Sequence, residues 1–359
     1  MTLFALETSS AGGKPPLGGV GGTIRALVGA LLADDPRTRY ALCTRLSRWR
    51  QPNHFRPDAP NASVRFIADP FNGVILRGAK LFHAMSPFVP STPRVPKLVT
   101  IHDLNAVRNT EWVSARWHER RGGKIADAVA RADHVVTYSE FTAREVTEEY
   151  GVPAERVHPV HLGVDCARFR PASTEAIAKA RAQHGDYVIS IGLLTRRKNF
   201  AVLIEALARL PALRLVLVGR GSDGEREVEE SLDRHNMRAR TMRLTGVSEA
   251  ELVTLIGAAR ACAVPSRYEG FGLTVLEAMA CGTPVVCSNA ASLPEAAGDA
   301  ALLVDARSPE SFADALARVA SDSALAADLV ERGLARARAM SWTASARRLR
   351  AVYRAVAGA

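Results

Sequence analysis

No stretch of this 359-residue chain approaches the roughly 18–20 consecutive apolar residues that a membrane-spanning helix requires. The opening residues, Met1-Thr-Leu-Phe-Ala-Leu-Glu7, carry an early acid and no basic region, so they read as a first β-strand and not as a secretory leader. Cysteine is scarce. The five (Cys43, Cys166, Cys262, Cys281, Cys287) form no C-x-x-C pair, and their odd number argues against a disulfide framework and for a reducing cytoplasm. Cys262 and Cys287 lie inside apolar runs and read as small core residues. Cys281 carries no signal of a nucleophile. No D-x-D motif is present, and no His/Cys group has metal-ligand spacing. The glycine loops also lack G-x-G-x-x-G with a downstream acid in a βαβ unit, which argues against a dehydrogenase.

Hydrophobic residues make up 47% of the chain and charged residues 23%, as in an ordinary globular protein. The length predicts two domains of roughly 150–200 residues each. Net charge is +10, a balance that suits nucleic acid, anionic membrane or phosphate-bearing ligands. The excess is evenly spread, with 21 Lys and Arg against 16 Asp and Glu in residues 1–165 and 26 against 21 in the remainder. No basic arm stands out, so no nucleic-acid partner is expected.

Short apolar runs alternate with longer amphipathic ones, the pattern of βα units around mostly parallel sheets. In the first half the runs predict strands over 2–6, 40–44, 64–67, 81–84, 97–101, 134–138 and 157–160, with helices over 22–32, 115–130 and 139–150. Ser139 is placed to cap the last of these, its hydroxyl accepting from a first-turn amide. In the second half strands are predicted over 187–192, 213–219, 242–244, 261–264, 284–287 and 301–304, with helices over 201–210, 225–235, 249–258, 273–280 and 309–319. The segment 163–171 holds Gly and Pro and interrupts the rhythm, so it reads as a linker between two doubly wound domains, 1–165 and 166–340. The last residues, 341–359, read as a helix whose apolar positions (Ala346, Leu349, Val352, Tyr353, Val356) need a neighbour. Ligands of such sheets bind beyond the carboxyl ends of the strands. Two sheets facing each other would form a cleft between domains.

Four segments carry chemistry. In Pro265-Ser-Arg-Tyr-Glu-Gly-Phe-Gly-Leu-Thr-Val-Leu-Glu-Ala-Met-Ala-Cys-Gly-Thr-Pro284 a strand gives way to a glycine loop and then to a helix. The amides of Phe271, Gly272 and Leu273 would lie at the helix N-terminus, where unpaired N–H groups and the dipole attract a phosphate or a sugar hydroxyl. Glu269 lies on the loop beside Gly270. Glu277 lies about one and a half turns into the helix, where a carboxylate can accept from a diol such as a ribose. An isolated pair of this kind would be a capping acid and an exposed helix acid; the surrounding twenty residues favour a nucleotide-sugar. The second segment, Ser190-Ile-Gly-Leu-Leu-Thr-Arg-Arg-Lys-Asn-Phe200, sets Arg196, Arg197 and Lys198 on one loop, where fixed cations could stabilise a departing diphosphate or simply form a solvated basic turn. In the third, Val99-Thr-Ile-His-Asp-Leu104, His102 and Asp103 end an apolar strand; alone, such a histidine is more often structural than catalytic. The fourth, Pro16-Leu-Gly-Gly-Val-Gly-Gly-Thr-Ile24, would let backbone approach a ligand closely at Gly19 and Gly21.

Glu269 and Glu277 together resemble the E-x7-E signature of the retaining glycosyltransferases of family 4. The resemblance runs from the glycine run to the helix after Trp342. It implies the GT-B fold, two Rossmann-like domains facing a cleft, with an acceptor domain first and a nucleotide-sugar donor domain second, and the terminal helix packing back towards the first. It implies that Glu277 holds the donor ribose and Glu269 faces the transferred sugar. Arg197 and Lys198 correspond to the family's R-K-N element on the diphosphate, although Leu193 stands where many relatives have an Arg after the strand glycine, so that Arg196 and Arg197 both remain candidates. His102 matches the family's T-x-H-D element beside the donor sugar, with Asp103 as its neighbour or an acceptor-side residue. The glycine run matches a loop that closes on diphosphate and acceptor, and Glu295 in Ser292-Leu-Pro-Glu matches an S-x-P-E element near the donor. Thr274 stands where relatives often have Pro, a change a first helical turn tolerates.

The resemblance implies transfer with retention, no metal and no cofactor, from a GDP- or UDP-linked hexose to a glycan, lipid-linked or small-molecule hydroxyl, with a lean towards GDP-mannose. A nucleotide-sugar 2-epimerase and a catalytically silent nucleotide-sugar-binding protein are the rival expectations. Arg45-Leu-Ser-Arg-Trp-Arg50 and 112–121 mix Trp with Arg, as interfacial segments can, so a weak contact with the inner face of an anionic membrane is weighed against the commoner solvated surface.

Overall fold

The chain divides into two units, residues 1–162 with 342–359 and residues 163–341. The computed structural model describes residues 2–13, 19–50, 54–69, 71–90, 95–112 and 114–358, so Pro16, Leu17 and Gly18 of the glycine run and Val113 of the second Trp–Arg segment lie outside the described residues.

The first unit holds seven strands: β1 Leu3–Glu7, β2 Arg39–Arg45, β3 Ala62–Ile67, β4 Leu81–Ala84, β5 Lys97–Ile101, β6 His134–Thr137 and β7 Val157–Pro159. They form one sheet in the order β3-β2-β1-β4-β5-β6-β7, parallel throughout. Parallel strands are covered on both faces, which is why their sequences read as nearly continuous apolar runs. The second unit holds β8 Tyr187–Ile191, β9 Arg214–Val218, β10 Thr241–Leu244, β11 Ala261–Val264, β12 Val285–Ser288 and β13 Leu302–Val304, parallel in the order β10-β9-β8-β11-β12-β13. Both sheets are Rossmann-like. The order reverses between β1 and β4 in one and between β8 and β11 in the other, and such reversals open a crevice at the carboxyl ends of the strands.

Every strand read from the sequence is a strand, to within two residues at either end. Helix boundaries differ more. The helix expected from residue 22 runs Gly19–Asp34, so Gly19 and Gly21 belong to its first turn and not to a loop; first-turn amides have no intrahelical partner, which lowers the cost of glycine there. Among the described residues two long helices escaped the sequence pattern, Thr174–His184 and Ser323–Ala339, as did the short ones Asn72–Ile75, Asn105–Arg108 and Leu293–Ala297. Of the long pair, the first buries little beyond Ala180, and the second buries one large residue, Leu329, followed by Gly333 and Ala337, so neither has the continuous bulky stripe that marks a helix. A Cβ at Gly333 would stand 3.2 Å from Met279 Cγ, so this helix lies close against the helix Leu273–Ala280.

The segment 163–171, expected to be a linker, is packed within the second unit. Val164 bridges to Ser341 and donates to the Met340 carbonyl at 2.8 Å, while Phe169 is buried. Trp342–Ala357 belongs to the first unit, against the helix Gly19–Asp34. There Ala346, Leu349 and Tyr353 are buried, Arg350 Nη1 lies 2.8 Å from Asp34 Oδ2, and Arg354 Nη2 lies 3.3 Å from Asp35 Oδ2. Ser139 caps Glu140–Tyr150 by accepting from the Thr142 amide at 3.1 Å. Cys43, Cys262, Cys281 and Cys287 are buried and Cys166 is half-buried, and all five are free thiols. Burial pushes Cys43, Cys281 and Cys287 up to about 12, which removes them as nucleophiles.

Candidate functional site

At the reversal point of the second sheet, the loop after β8 meets the loop after β11. A short 3₁₀ turn, Arg196–Lys198, ends at Asn199, whose left-handed backbone (φ 57°) turns the chain into the helix Phe200–Ala208. Asn199 ties this corner down: its Nδ2 donates to the Pro265 carbonyl at 3.0 Å and to the Ala306 carbonyl at 2.7 Å. Gly192 and Gly219 let the loops stack, since a Cβ at Gly219 would fall 1.9 Å from the Gly192 carbonyl oxygen.

The result is a closed cluster around one carboxylate. Lys198 Nζ lies 2.6 Å from Glu269 Oε1 and Arg197 Nη1 lies 2.6 Å from Oε2. Ser266 Oγ donates to Oε1 at 2.7 Å, and Arg197 also donates to the Tyr268 carbonyl at 3.0 Å. Lys198 and Glu269 are both buried. Burial alone would raise the Glu269 carboxyl, yet Lys198, Arg197 and the Lys198 and Ser266 hydrogen bonds hold it down to about 2. The two cations are thus gathered at the carboxyl end of the switch point and share one internal acid.

Beyond Glu269, Gly270 leads to buried Phe271 and to Gly272, the N-cap of Leu273–Ala280, with φ 105°. A Cβ on Gly272 would lie 2.8 Å from Leu293 Cδ2, so both backbone angle and space require glycine there. Glu277 is the fifth residue of this helix and half-buried; burial raises its carboxyl, offset in part by Arg168 and Lys198. Ser292 Oγ donates to the Glu269 carbonyl at 2.7 Å. Glu295 stands half-buried in the first turn of the short helix Leu293–Ala297, and its carbonyl accepts from Arg336.

The structure separates the two adjacent arginines. Arg197 turns to Glu269, whereas Arg196 Nε lies 3.1 Å from Glu227 on the helix Glu225–Arg234. Arg196 is therefore not brought to the Glu269 cluster. Ser266, Asn199, Ser292 and Gly219 are positioning residues absent from the site expected from sequence. The first three lay inside motifs already quoted, but their hydrogen-bond partners are up to 107 positions away and leave no local signal.

In the first unit His102 follows β5 and is buried. Its Nε2 lies 3.0 Å from the Met85 carbonyl; a carbonyl only accepts, so Nε2 carries the proton and Nδ1 is an acceptor. Burial lowers its pKa to about 4, with Arg121 acting the same way and the Met85 bond and Asp103 opposing. Asp103 accepts from the Asn105 amide at 3.0 Å and so closes the short turn that follows. Gly19, at φ 56°, is exposed at the start of its helix, and its carbonyl accepts from Thr23 Oγ1 at 3.1 Å, while Gly21 is half-buried. At this sheet's own reversal point, Glu7 is fully buried. Its Oε1 lies 3.1 Å from Arg45 Nε and its Oε2 accepts from Ser86 Oγ at 2.9 Å. The sequence offered Glu7 only as an early acid. Among the described residues no three His, Cys, Asp or Glu side chains gather as metal ligands, and no helix is long and apolar enough to cross a membrane.

Comparison with known proteins places these loops in context. Residues 17–168 match the family described as Glycosyltransferase Family 4, and residues 173–336 match Glycosyl transferases group 1. The chain is 31% identical over 274 residues to the O-antigen chain mannosyltransferase B of Escherichia coli, covering 73% of this chain and 71% of that one. It is 34% identical over 287 residues to a D-inositol 3-phosphate glycosyltransferase of Acidothermus cellulolyticus, spanning 72% of this chain and only 62% of that protein. Among solved structures it resembles sucrose-phosphate synthase of Thermosynechococcus elongatus, with TM-score 0.78, 25% identity and 99% of both chains covered. It also shares the fold of Anabaena HepE, solved with UDP and glucose, with TM-score 0.73, 20% identity, and 99% and 100% of the two chains covered.

Proposed function

For this chain, which belongs to the family 4 glycosyltransferases of GT-B fold, we propose transfer of a hexose from a nucleoside diphosphate to an acceptor hydroxyl, with retention at the anomeric carbon and without a metal or cofactor. The observation that carries this reading is the Arg197–Glu269–Lys198 cluster at the switch point of the second sheet. A nucleoside diphosphate leaving group gains negative charge as the glycosidic bond breaks. Two preorganised cations beside a helix N-terminus supply what that charge needs, and supply it where water is sparse. Glu269 holds both cations in place before the donor arrives, and its carboxylate then faces the sugar. The amides of Phe271, Gly272 and Leu273 complete the diphosphate cradle, with Gly270 leaving room on the loop. Glu277, deeper on the helix, accepts from the ribose diol. Glu295 is a secondary donor contact, and Gly19 and Gly21 are contacts of the diphosphate and acceptor. His102, neutral with Nδ1 as acceptor, suits a hydrogen bond from a hydroxyl of the transferred sugar, with Asp103 beside it.

The donor we favour is GDP-mannose, a choice supported by a relative named as a mannosyltransferase; relatives named for inositol phosphate and neighbours solved with UDP or UDP-glucose keep UDP-linked hexoses as the alternative. The acceptor is a glycan, lipid-linked or small-molecule hydroxyl. We place the protein in the cytoplasm with a weak contact to anionic membrane through residues 45–50, where Trp49 and Leu46 are exposed beside Arg48 and Arg50. Sedimentation with anionic vesicles tests that contact; unchanged partition in low salt removes it. The transferase reading is tested by a thermal-shift panel of nucleotide-sugars, since a ligand at about 100 times its Kd stabilises by ~2.7 kcal/mol. GDP-mannose or a UDP-hexose should raise Tm in the native chain and fail to do so in Lys198→Ala and Glu277→Ala. Equal shifts in all three proteins would sink the site assignment.

A further inference from the structure

The first unit carries a buried polar row on the face of its sheet opposite the apolar cluster. The β4–β5 register pairs His83 with Leu98 and Ala84 with Val99, and side chains alternate along a strand, so His83, Thr100 and His102 share one face. Phe82, Ala84, Val99 and Ile101 point the other way, into the core. The β5–β6 register pairs Ile101 with Thr137, which sets His102 across from Tyr138. Their rings meet edge to face with centroids 5.1 Å apart.

Hydrogen bonds link Tyr353, His83 and Thr100, and a ring contact joins Tyr138 to His102. Tyr353 Oη lies 2.6 Å from His83 Nδ1, and Thr100 Oγ1 lies 2.7 Å from His83 Nε2. His83, Thr100 and Tyr353 have no exposure to solvent. Burial lowers the pKa of His83 to about 3, and proximity to His102 adds to this, so the imidazole is neutral and each nitrogen has a hydroxyl as partner. The register that pairs Thr100 with Val136 sets Tyr138 diagonal to Thr100 on the same face, where its hydroxyl is buried without a hydrogen-bond partner. The row therefore begins on the last helix of the chain, crosses β4, β5 and the end of β6, and stops at the ring of His102.

Buried neutral imidazoles and phenols keep one arrangement because a broken bond strands a polar atom with no water to replace its partner. We propose that Tyr353 is a positioning residue for His102: the carboxy-terminal helix fixes His83 and Thr100 by hydrogen bonds, and packing of that fixed pair beside the Tyr138 ring sets the ring angle of His102 and keeps its Nδ1 lone pair available. This rests on the reading of His102 as a contact of the transferred sugar. It also gives the terminal helix a task besides covering Gly19–Asp34, since Arg350 and Arg354 already anchor that helix at Asp34 and Asp35.

The test compares the full-length chain with Tyr353→Phe, which removes the hydroxyl and keeps the ring. Histidine ring nitrogens are observed by NMR in ¹⁵N-His-labelled protein, with His102 assigned from its loss in His102→Gln. Turnover is followed as nucleotide release from whichever of GDP-mannose and UDP-glucose the protein uses. Tyr353→Phe should shift the His102 nitrogen resonances and lower kcat about tenfold with donor KM changed less than about twofold, a coupling of ordinary size for linked residues. Adding His102→Ala to Tyr353→Phe should then cost no more than His102→Ala alone. Unmoved His102 resonances, or a double variant slowed by the product of the two single effects, overturns the proposal and leaves Tyr353 a packing residue. Should His102→Ala turn over normally, the sugar-contact reading fails, and the His102 resonances in Tyr353→Phe still decide the positioning claim. If Tyr353→Phe does not fold, Thr100→Val interrupts the same row and Thr100→Ser should restore it, with the same two readouts.

Discussion

Lys198 Nζ sits 2.6 Å from Glu269 Oε1, a buried pair spanning 71 positions of chain and joining the loops that follow β8 and β11. Such a pair serves two ends. It gives the cations of the loop a carboxylate partner as the chain folds, and on the proposed reading it holds them where a diphosphate would take them over from that carboxylate. Removing Lys198 takes one of two cations from Glu269, and removing Glu269 takes the carboxylate from both Lys198 and Arg197.

Lys198→Ala should therefore lower both activity and stability. We expect a fall of about 10²–10³ in kcat, the usual effect of deleting one fixed donor to a developing oxyanion. Stability should fall by on the order of 3 kcal/mol, because Glu269 keeps only Arg197 and Ser266 as partners. Steady-state nucleotide release and urea unfolding measure the two effects. Lys198→Arg, which keeps the charge but not the shape, should recover part of each.

Acid should unfold the protein through Glu269. Its folded pKa lies at about 2, below the ordinary carboxylate range, so the stability it contributes is complete above about pH 4.3 and is lost as pH falls towards 2. Glu269→Gln should flatten the unfolding curve in that window. A curve parallel to the native one between pH 4 and 2.5 would show that Glu269 is not held as the geometry indicates.

His83 and His102 act in a different window. Both are lowered by burial, to about 3 and about 4, so the unfolded chain takes up protons at these positions near pH 6.5 while the folded chain does not. Stability should decline as pH falls from about 6.5, and each contribution should stop changing below its folded value. By the same reasoning His102 stays neutral from pH 5.5 to 8, and its ionisation should add no inflection to the pH–rate profile there. Titration of His102 by NMR checks the assignment directly.

Gly219→Ala should be costly for so small a change. The new methyl would meet the Gly192 carbonyl oxygen at 1.9 Å, so the loop carrying Arg197 and Lys198 must shift. A loss of ~2 kcal/mol or more in stability and a weakened thermal shift with nucleotide-sugar are expected. Gly151→Ala, at φ 64° with nothing within 4 Å, is the control: it carries backbone strain alone and should leave ligand-induced shifts intact.

The Arg45–Glu7 pair lies at the reversal point of the first sheet. Glu7→Gln should leave Arg45 without its carboxylate partner and lower stability, while thermal shifts with nucleotide-sugar persist, since the cations proposed to hold the diphosphate lie in the second unit. Thermal denaturation with and without donor separates these outcomes.

The sequence by itself determined the strands, the two-sheet architecture and the identity of the residues in the main loops. Parallel strands bury both faces, so each is written as a local apolar run, and Glu269, Glu277, Arg197, Lys198 and His102 stand in short motifs whose spacing is itself the signal. Tertiary structure alone decided which of these groups meet. Arg196 and Arg197 are neighbours in sequence, yet one pairs with Glu227 and the other with Glu269, because a tight 3₁₀ turn points successive side chains in different directions. The helices Thr174–His184 and Ser323–Ala339 stayed hidden since small residues form most of their packed faces, with Leu329 the large apolar residue buried on the second. Asn199, Ser292 and Tyr353 acquire their partners only on folding, across tens to hundreds of residues, and hydrogen bonds over such spans leave no periodicity behind.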